Sequence, residues 1–310
     1  MEAHSVIKGE VVTTVSHRDF MRNLSADDKR FLTEKTDTNG LIRLTVLVAL
    51  ICALTACIIS RISWWPFLML PQGLLLISLF HLEHECIHDT PFRTQRLNTT
   101  VGAICGFILL LPSEWFRYFH RDHHRYTQIQ GKDPELDTAK PASKIQWLIH
   151  LSGLPLLKGL LTVIAKTTFG RCDDGYIPDK AKVSVIRQVR SMTLAYSFLG
   201  LISLITQSTI LLWIWIIPLQ IGQPFLRLYL LAEHSLCDHT DNMFLNTRTV
   251  ITNPIVRWFT WNMPFHTEHH VYPGVPFHKL PTLHKKMQGF LEHTNSSYTE
   301  FNQQLYKTLR

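Results

Sequence analysis

Four uncharged apolar stretches limit the folds that are open to this chain. Residues 44–60 and 62–80 contain no charged side chain, and only Arg61 lies between them. Residues 191–225 are also uncharged, which is enough chain for most of two membrane crossings joined by a turn near Gln207 and Ser208. A helix of about 20 apolar residues spans a bilayer. We therefore predict an all-α integral membrane protein with four transmembrane helices, at about 42–60, 63–82, 190–206 and 209–231.

The distribution of basic residues predicts the orientation of these helices. The segment 83–190 carries fifteen Lys and Arg, whereas the two short turns on the opposite face hold only Arg61. Because cytoplasmic loops are enriched in Lys and Arg, both termini and the long segment are expected in the cytoplasm. The net charge of +7 then reflects basic residues that face anionic membrane lipid, and no nucleic-acid partner is needed to explain it.

Shorter features complete the predicted organisation. The first apolar run follows about 40 polar residues, so it does not resemble a cleaved signal peptide. The stretch 101–111 is too short to span and is expected to be re-entrant or interfacial. Ser25 is expected to cap a short helix with Asp27 and Asp28 in its first turn. We divide the chain into a cytoplasmic N-terminal segment at 1–40, a membrane domain at 41–290 and a cytoplasmic C-terminal tail at 291–310.

Three histidine clusters indicate a metal centre. They are HECIH with His84 and His88, HRDHH with His120, His123 and His124, and HTEHH with His266, His269 and His270, and a ninth histidine, His234, stands in LAEH. Residues three and four apart share one face of a helix, so each cluster is expected to aim its imidazoles at one point. One tetrahedral metal cannot use this many ligands. Two metals are predicted.

The cysteines help to decide which kind of metal site the chain can form. Neutral imidazole suits iron, copper, nickel and zinc, whereas structural zinc sites often include cysteine. No CxxC occurs, and the cysteines are scattered, at Cys52, Cys57, Cys86, Cys105, Cys172 and Cys237. Neither a disulfide framework nor a thiolate metal site is predicted.

The predicted topology brings the clusters to one side of the membrane. The second span runs directly into His84 and His88, the long cytoplasmic segment carries the second cluster, and the fourth span ends at His234 shortly before the third cluster. Elements that are far apart in the sequence can therefore build one cytoplasmic helical cap over the spans.

These boxes resemble those of the membrane-bound fatty acid desaturase and hydroxylase superfamily. The order HxxxH, HxxHH and HxxHH, with pairs of spans placed between the boxes, covers about residues 40–290. The segments HRDHHRYTQIQGKDPEL, LRLYLLAEH with the later NTRT, and WNMPFHTEHHVYPGVPFHKLP are similar to bacterial-type fatty acid desaturases.

The resemblance implies a chemistry and its cofactors. In that family the boxes bind two iron ions, which use dioxygen as co-substrate to remove hydrogen from an acyl chain. It implies that the eight box histidines and His234 are iron ligands, with no catalytic residue beyond them. No HPGG occurs, so no fused cytochrome b5 domain is expected, and electrons would come from a separate donor of the ferredoxin or cytochrome b5 type with its reductase. A bacterial inner membrane is expected in preference to the endoplasmic reticulum.

Two other functions stay open at this point. HECIH also resembles the first box of membrane alkane hydroxylases, and LAEH resembles a further motif of those enzymes, so hydroxylation of a lipid, alkyl or specialised-metabolite substrate is the alternative. A histidine-rich metal transporter is disfavoured, because transporters place ionisable ligands near the middle of the membrane and these clusters lie beyond the span ends.

Carboxylates near the boxes are candidates to orient the imidazoles, since the second ring nitrogen of a metal-bound histidine usually donates to such a group. The candidates are Glu85, Asp89, Asp122, Asp133 and Glu268. His81 shares a helix face with His84 and His88 but falls outside the box, and it is expected to be structural or to support a metal ligand. Three histidines that lie near the boxes without box spacing are expected to be structural, namely His239, His278 and His284. Aromatic residues that flank the boxes either line a substrate channel or pack, namely Trp115, Phe116, Trp258, Trp261 and Phe265.

Overall fold

The computed structural model describes residues 15–310, which form helices and one small sheet. The α-helices are α1 (His17–Asn23), α2 (Ala26–Thr33), α3 (Asp37–Ile59), α4 (Met69–Ile87), α5 (Gln95–Leu109), α6 (Ser113–Tyr126), α7 (Lys144–Leu151), α8 (Leu154–Thr168), α9 (Asp179–Ile205), α10 (Ile217–His234), α11 (Met243–Asn246), α12 (Pro254–Phe259), α13 (His266–Val271), α14 (Leu280–Met287) and α15 (Tyr298–Thr308). Short 3-10 helices lie at Trp65–Leu68, Pro134–Asp137 and Phe277–Lys279, a π-helix lies at Leu212–Ile216, and the strands are β1 (Arg248–Val250) and β2 (His293–Asn295).

The four predicted spans are confirmed. Among the described residues, four helical segments are long and apolar enough to cross a membrane, and they contain α3, α4, α9 and α10. The predicted ends differ from the helix ends where a helix continues past its apolar part. The third spanning helix, α9, begins at Asp179 and not near 190. Its first turns carry basic side chains, which hydropathy does not assign to a span.

Two further helix pairs bend sharply between the spans. Helices α5 and α6 meet at 97° and α7 and α8 meet at 53°, which is the geometry of a broken span or a re-entrant loop. The stretch 101–111 lies largely in α5, where a re-entrant segment was expected. The bend turns α6, and the HRDHH box on it, back towards the end of α4. The second pair, α7 and α8, was not predicted from the sequence.

Helices α4 and α10 form the central packed pair. Gln72 of α4 donates one hydrogen bond of 3.0 Å to Thr55 of α3 and another of 3.2 Å to the carbonyl of Ile214, just before α10. As the second and fourth spans, α4 and α10 cross in the same sense, so both C-termini lie at one end of the bundle. His84 is in the last turn of α4, and His234 is the last residue of α10.

The segments outside the spans pack as a cap over that end. Ser25 caps α2 by accepting a bond of 3.0 Å from the Asp28 N–H, as predicted. Strands β1 and β2 pair in parallel, with Arg248 opposite His293. The segment 291–310 was expected to be a tail, but it supplies β2 and α15 and buries Phe301 completely, so it belongs to the packed cap.

Candidate metal centre

All nine histidines predicted as ligands meet in one buried region of the cap. Eight of them are at most 8% exposed, and His88 is half-buried. They come from the ends of α4 and α10 and from α6 and α13. Because buried polar groups require partners, we expect imidazoles clustered in this way to bind shared metal ions.

The first group contains five histidines from three elements. Its members offer nitrogen atoms that all lie within 4.8 Å of one another, namely His84, His88, His120, His124 and His269. Helical spacing explains two of the pairs, since His84 and His88 are four residues apart at the end of α4, as are His120 and His124 on α6. The Nε2 atoms of His120 and His124 are 2.9 Å apart.

The second group lies beside the first. His123, His234 and His270 offer nitrogens within 4.8 Å of one another, and His266 adjoins them. The Nε2 atom of His234 lies 3.2 Å from Nε2 of His123 and 3.1 Å from Nε2 of His266, which in turn lies 3.1 Å from Nε2 of His270. The rings of His124 and His270 stack at 4.0 Å between centroids, so the two groups are neighbours.

The expectation that each cluster aims at one point was wrong for the two HxxHH boxes. His123 belongs to the second group and His124 to the first, and His270 and His269 divide in the same way. The physical reason is the angle of about 100° between consecutive residues on a helix with 3.6 residues per turn. Adjacent histidines therefore point to different sites, and each HxxHH box contributes to both groups.

Every imidazole of the second group has a contact on its outer nitrogen. The Nδ1 atoms face Asp133 Oδ1 at 2.9 Å from His123, the Asn246 carbonyl at 3.1 Å from His234, Glu233 Oε1 at 3.3 Å from His266 and Thr127 Oγ1 at 3.2 Å from His270. The hydrogen bonds of His123, His234 and His270 fix their ring orientations and leave Nε2 free to bind a metal. Glu233 lies near His266 Nδ1, which has no hydrogen bond to a described residue. Burial alone would raise the pKa of Asp133, but its hydrogen bond with His123 lowers the pKa below the ordinary value.

The donor set fits two bound metal ions. Nitrogens without a hydrogen-bond partner among the described residues include both ring nitrogens of His84 and of His269. The Nε2 pairs at 2.9–3.2 Å match the spacing of neighbouring ligands, since nitrogens at about 2.1 Å from a metal and about 90° apart are about 3 Å from each other. Burial, and next the positive field of His123, lower the pKa of His269 to about 3, so its imidazole is in the neutral form that metals bind.

The NTRT segment, residues 246–249, connects the elements around the second group. Asn246 accepts from His234 through its carbonyl and donates through Nδ2 to the Thr127 carbonyl at 3.0 Å. Arg248 donates to the carbonyls of Ala232 and Ser235, at 3.1 and 2.7 Å, and so satisfies backbone acceptors at the C-terminal end of α10. Thr249 donates to Glu268 Oε2 at 2.7 Å, which links β1 to the HTEHH box.

Of the five candidate carboxylates, Asp133 alone contacts a box imidazole among the described residues. Glu85 instead binds Thr90 Oγ1 and the Phe277 N–H, Asp89 binds Arg117, and Glu268 binds His284 and Thr249, while Asp122 makes no such contact within residues 15–310. The contacts of Glu233, Asn246 and Thr127 with the histidines were not predicted from the sequence. Glu233 could have been found from its position next to His234. Asn246 and Thr127 contact the histidines through a backbone carbonyl and a hydroxyl in distant segments, and no sequence pattern indicates such contacts.

The histidines expected to be structural stay outside both groups. His81 is buried against Tyr229 with 4.6 Å between ring centroids, and His239 Nδ1 lies 3.3 Å from the Gln128 carbonyl. His284 binds Glu268, and His278 is half-buried beside Phe277.

Comparison with known proteins gives a consistent result. The family model described as fatty acid desaturase matches residues 61–302. The chain is 24% identical over 269 residues to a human sphingolipid delta(4)-desaturase/C4-monooxygenase, covering 80% of this chain and 74% of that protein. It is 38% identical over 80 residues to an endoplasmic-reticulum omega-3 fatty acid desaturase of Vigna radiata var. radiata and 33% identical over 107 residues to a fatty acid conjugase of Calendula officinalis. These matches cover 25% and 34% of this chain, but only 21% and 28% of the two plant proteins.

Proposed function

Because this chain belongs to the fatty acid desaturase family, we propose that it carries out oxygen-dependent desaturation of a fatty acyl chain at a di-iron centre. Family membership makes it a membrane oxidoreductase. The observation that carries the finer proposal is the pair of adjacent, buried histidine groups, each with at least three converging nitrogens.

The first group would hold one iron and the second group the other, with His266 completing the second group. Iron is proposed because it changes valence and takes up dioxygen, which zinc cannot do, and removal of hydrogen from an unactivated carbon needs such an oxidant. The chain's own part is to hold the nine imidazoles in place; Asp133 sets the orientation of His123 through a hydrogen bond, and the Glu233 carboxylate lies 3.3 Å from His266 Nδ1.

An apolar wall beside the first group supports a hydrocarbon substrate. The ring of Phe116 lies 5.3 Å from that of His120, and the ring of Phe80 stacks on His84 at 6.4 Å. We propose that the reacting part of the acyl chain approaches along this wall. The bound chain then excludes water from the iron ligands. Phe116 was one of the aromatic residues that the sequence analysis considered for a channel.

Hydroxylation is the second candidate reaction. It is favoured by the similarity to the human protein, whose name includes both a desaturase and a C4-monooxygenase. Both reactions begin with removal of one hydrogen atom from the chain, and they diverge in whether a second hydrogen is lost or oxygen is added.

The electron donor and the orientation are also part of the proposal. We propose a separate donor of the ferredoxin or cytochrome b5 type, because reduction of dioxygen in this reaction consumes electrons beyond those that the acyl chain supplies. We further propose that the cap faces the cytoplasm, on the basis of the fifteen Lys and Arg in the segment 83–190. A bacterial inner membrane is proposed because the box segments resemble those of bacterial-type desaturases.

The test is expression in a host that supplies a compatible reductase, followed by lipid mass spectrometry. We expect acyl chains that have lost two hydrogens, and the His269→Ala variant at the same membrane abundance should give none. Chains that have gained one oxygen would favour hydroxylation instead. If neither product forms while purified protein holds one zinc and no iron, the proposed function is wrong.

A further inference from the structure

Arg227 is a buried cation in the fourth span whose guanidinium lacks a close partner. It lies on α10 and is 8% exposed, and its Nε has no hydrogen-bond partner among residues 15–310. The guanidinium is charged at any ordinary pH, and a charge buried within a membrane-spanning helix is costly unless it is paired. An ionisable residue at such a position therefore indicates a binding function.

The nearby carboxylates are used elsewhere. Those that act on Arg227 electrostatically are Glu233 and Glu135. Glu233 Oε1 lies 3.3 Å from His266 Nδ1, and Glu135 Oε2 lies 3.7 Å from His123 Nδ1, so both are directed towards the second histidine group. His150 on α7 adds no charge, because burial, and next the Arg227 guanidinium, lower its pKa to about 4. The positive charge of Arg227 is left for an anion from outside the chain.

A second unpartnered polar group lies one turn away on α10. Gln223 Oε1 is buried and accepts no hydrogen bond from a described residue. The side chain of Gln223 packs against Gly153, where an added Cβ would lie 2.7 Å from the Gln223 side chain. Helical side chains lean towards the N-terminus, so Arg227 reaches back over Gln223. The two residues together offer a cation and a hydrogen-bond acceptor.

An apolar groove continues from Gln223 away from the histidines. Its walls come from α5, α8, α10 and the π-helix that precedes α10, and they include Leu109, Leu156, Leu157, Leu160, Ile216 and Leu219. The accessible volume is about 50 Å³, which suits part of one hydrocarbon tail. The adjoining outer face of α8 exposes Leu154 and Leu161, at 58% and 50%, and would carry the rest of a tail.

We propose that this is a binding site for an anionic phospholipid. Arg227 binds the phosphate, Gln223 accepts a hydrogen bond from a head-group hydroxyl, and one acyl tail lies in the groove. Arg227 is seven residues before His234, about 10 Å along the helix, and the groove extends in the opposite direction. The tail therefore leads away from the metal centre, so the bound lipid is a ligand distinct from the chain that is oxidised.

The experiment measures lipid binding on the purified full chain in detergent, through the rise in Tm as dioleoyl phosphatidylglycerol is titrated. We expect a saturable rise for the unmodified chain and little rise with dioleoyl phosphatidylcholine. Arg227→Gln should raise the half-saturating lipid concentration by at least about tenfold, because a charged hydrogen bond to phosphate is lost. Leu157→Trp, which leaves Arg227 in place and fills the groove, should weaken binding as well. This readout does not depend on iron or on oxidation.

The matched control is Arg187→Gln, which removes an exposed cation from α9 and should leave the titration unchanged. Equal weakening by Arg187→Gln would show a general charge effect and overturn the site. The proposal also fails if Arg227→Gln and Leu157→Trp both titrate like the unmodified chain. A full rise with oleate, or with inorganic phosphate alone, would identify a carboxylate or a free anion as the ligand and overturn the phospholipid assignment.

Discussion

Gly73 and Gly222 meet where α4 crosses α10. A Cβ added to Gly222 would lie 2.6 Å from the Gly73 carbonyl oxygen, and one added to Gly73 would lie 2.2 Å from the Pro218 carbonyl oxygen. Small residues let membrane helices approach closely. This contact sets the distance between the two helices whose ends carry His84 and His234, and so it positions both histidine groups.

The first prediction follows from that contact. Gly222→Leu should separate α4 from α10, since the new side chain meets backbone that cannot move aside. We expect a loss of about 1–3 kcal/mol of stability, or failure to assemble, and a fall in bound iron. Thermal unfolding in detergent and metal analysis measure both. Gly200→Leu on α9 is the control, because a Cβ there has no heavy atom within 4 Å; equal damage from the control would contradict the prediction.

The second prediction tests the division of the HxxHH box. His123→Ala and His124→Ala change adjacent residues, but each should remove a ligand from a different iron, as the two groups predict. We expect about two irons in the unmodified protein and about one in each variant. Mössbauer spectra should show that a different iron signal is lost in each case. Loss of the same signal in both variants would mean that the box serves one metal.

The third prediction separates His234 from His239. His234→Ala should lower iron content and product yield as severely as His269→Ala. The Nε2 atom of His234 contacts His123 and His266 of the second group, and its Nδ1 atom contacts Asn246 and Thr247. His239→Ala should be milder, since among residues 15–310 its ring has one hydrogen-bond contact, with the Gln128 carbonyl at 3.3 Å. The variants are compared at equal membrane abundance. Full iron in His234→Ala, with loss in His239→Ala, would reject the ninth ligand.

The fourth prediction concerns Arg248. Arg248→Met should remove the guanidinium donors from the carbonyls of Ala232 and Ser235, and leaving a buried carbonyl unsatisfied costs about 1–3 kcal/mol. We expect a lower Tm and weaker iron binding, with partial recovery in Arg248→Lys. Arg171→Met, at an exposed position, is the control. An unchanged Tm in Arg248→Met would show that the end of α10 does not depend on this network.

The fifth prediction is a pH dependence at Asp133. Its hydrogen bond with His123 lowers the pKa of Asp133 from 3.8, so the stabilisation is present above about pH 4 and is lost as the pH falls through the lower folded-state pKa. The iron-free protein should therefore be more stable than Asp133→Asn near neutral pH, and the difference should shrink in acid. Asp133→Asn should also weaken iron binding by about 10–100-fold. Titration of unfolding against pH measures the first effect; a difference that grows in acid would contradict it.

Much of this architecture was predictable because local composition controls it. An uncharged run near 20 residues has few alternatives to a membrane helix, and histidines at box spacing, together with the family resemblance, indicated all nine residues that the structure brings together. The second and fourth spans end near His84 and His234, and this also predicted that the boxes lie at one end of the helix bundle.

The division of the boxes depended on three-dimensional packing. His123 and His124 are adjacent in the sequence, and only the docking of α6 against α4, α10 and α13 assigns one to each group. The supports of the second group come from Glu233, the Asn246 carbonyl and Thr127, and the unpartnered charge of Arg227 becomes visible only when its neighbours are placed. Sequence patterns report periodicity along one element, whereas these relationships join groups that are brought together only when the elements pack.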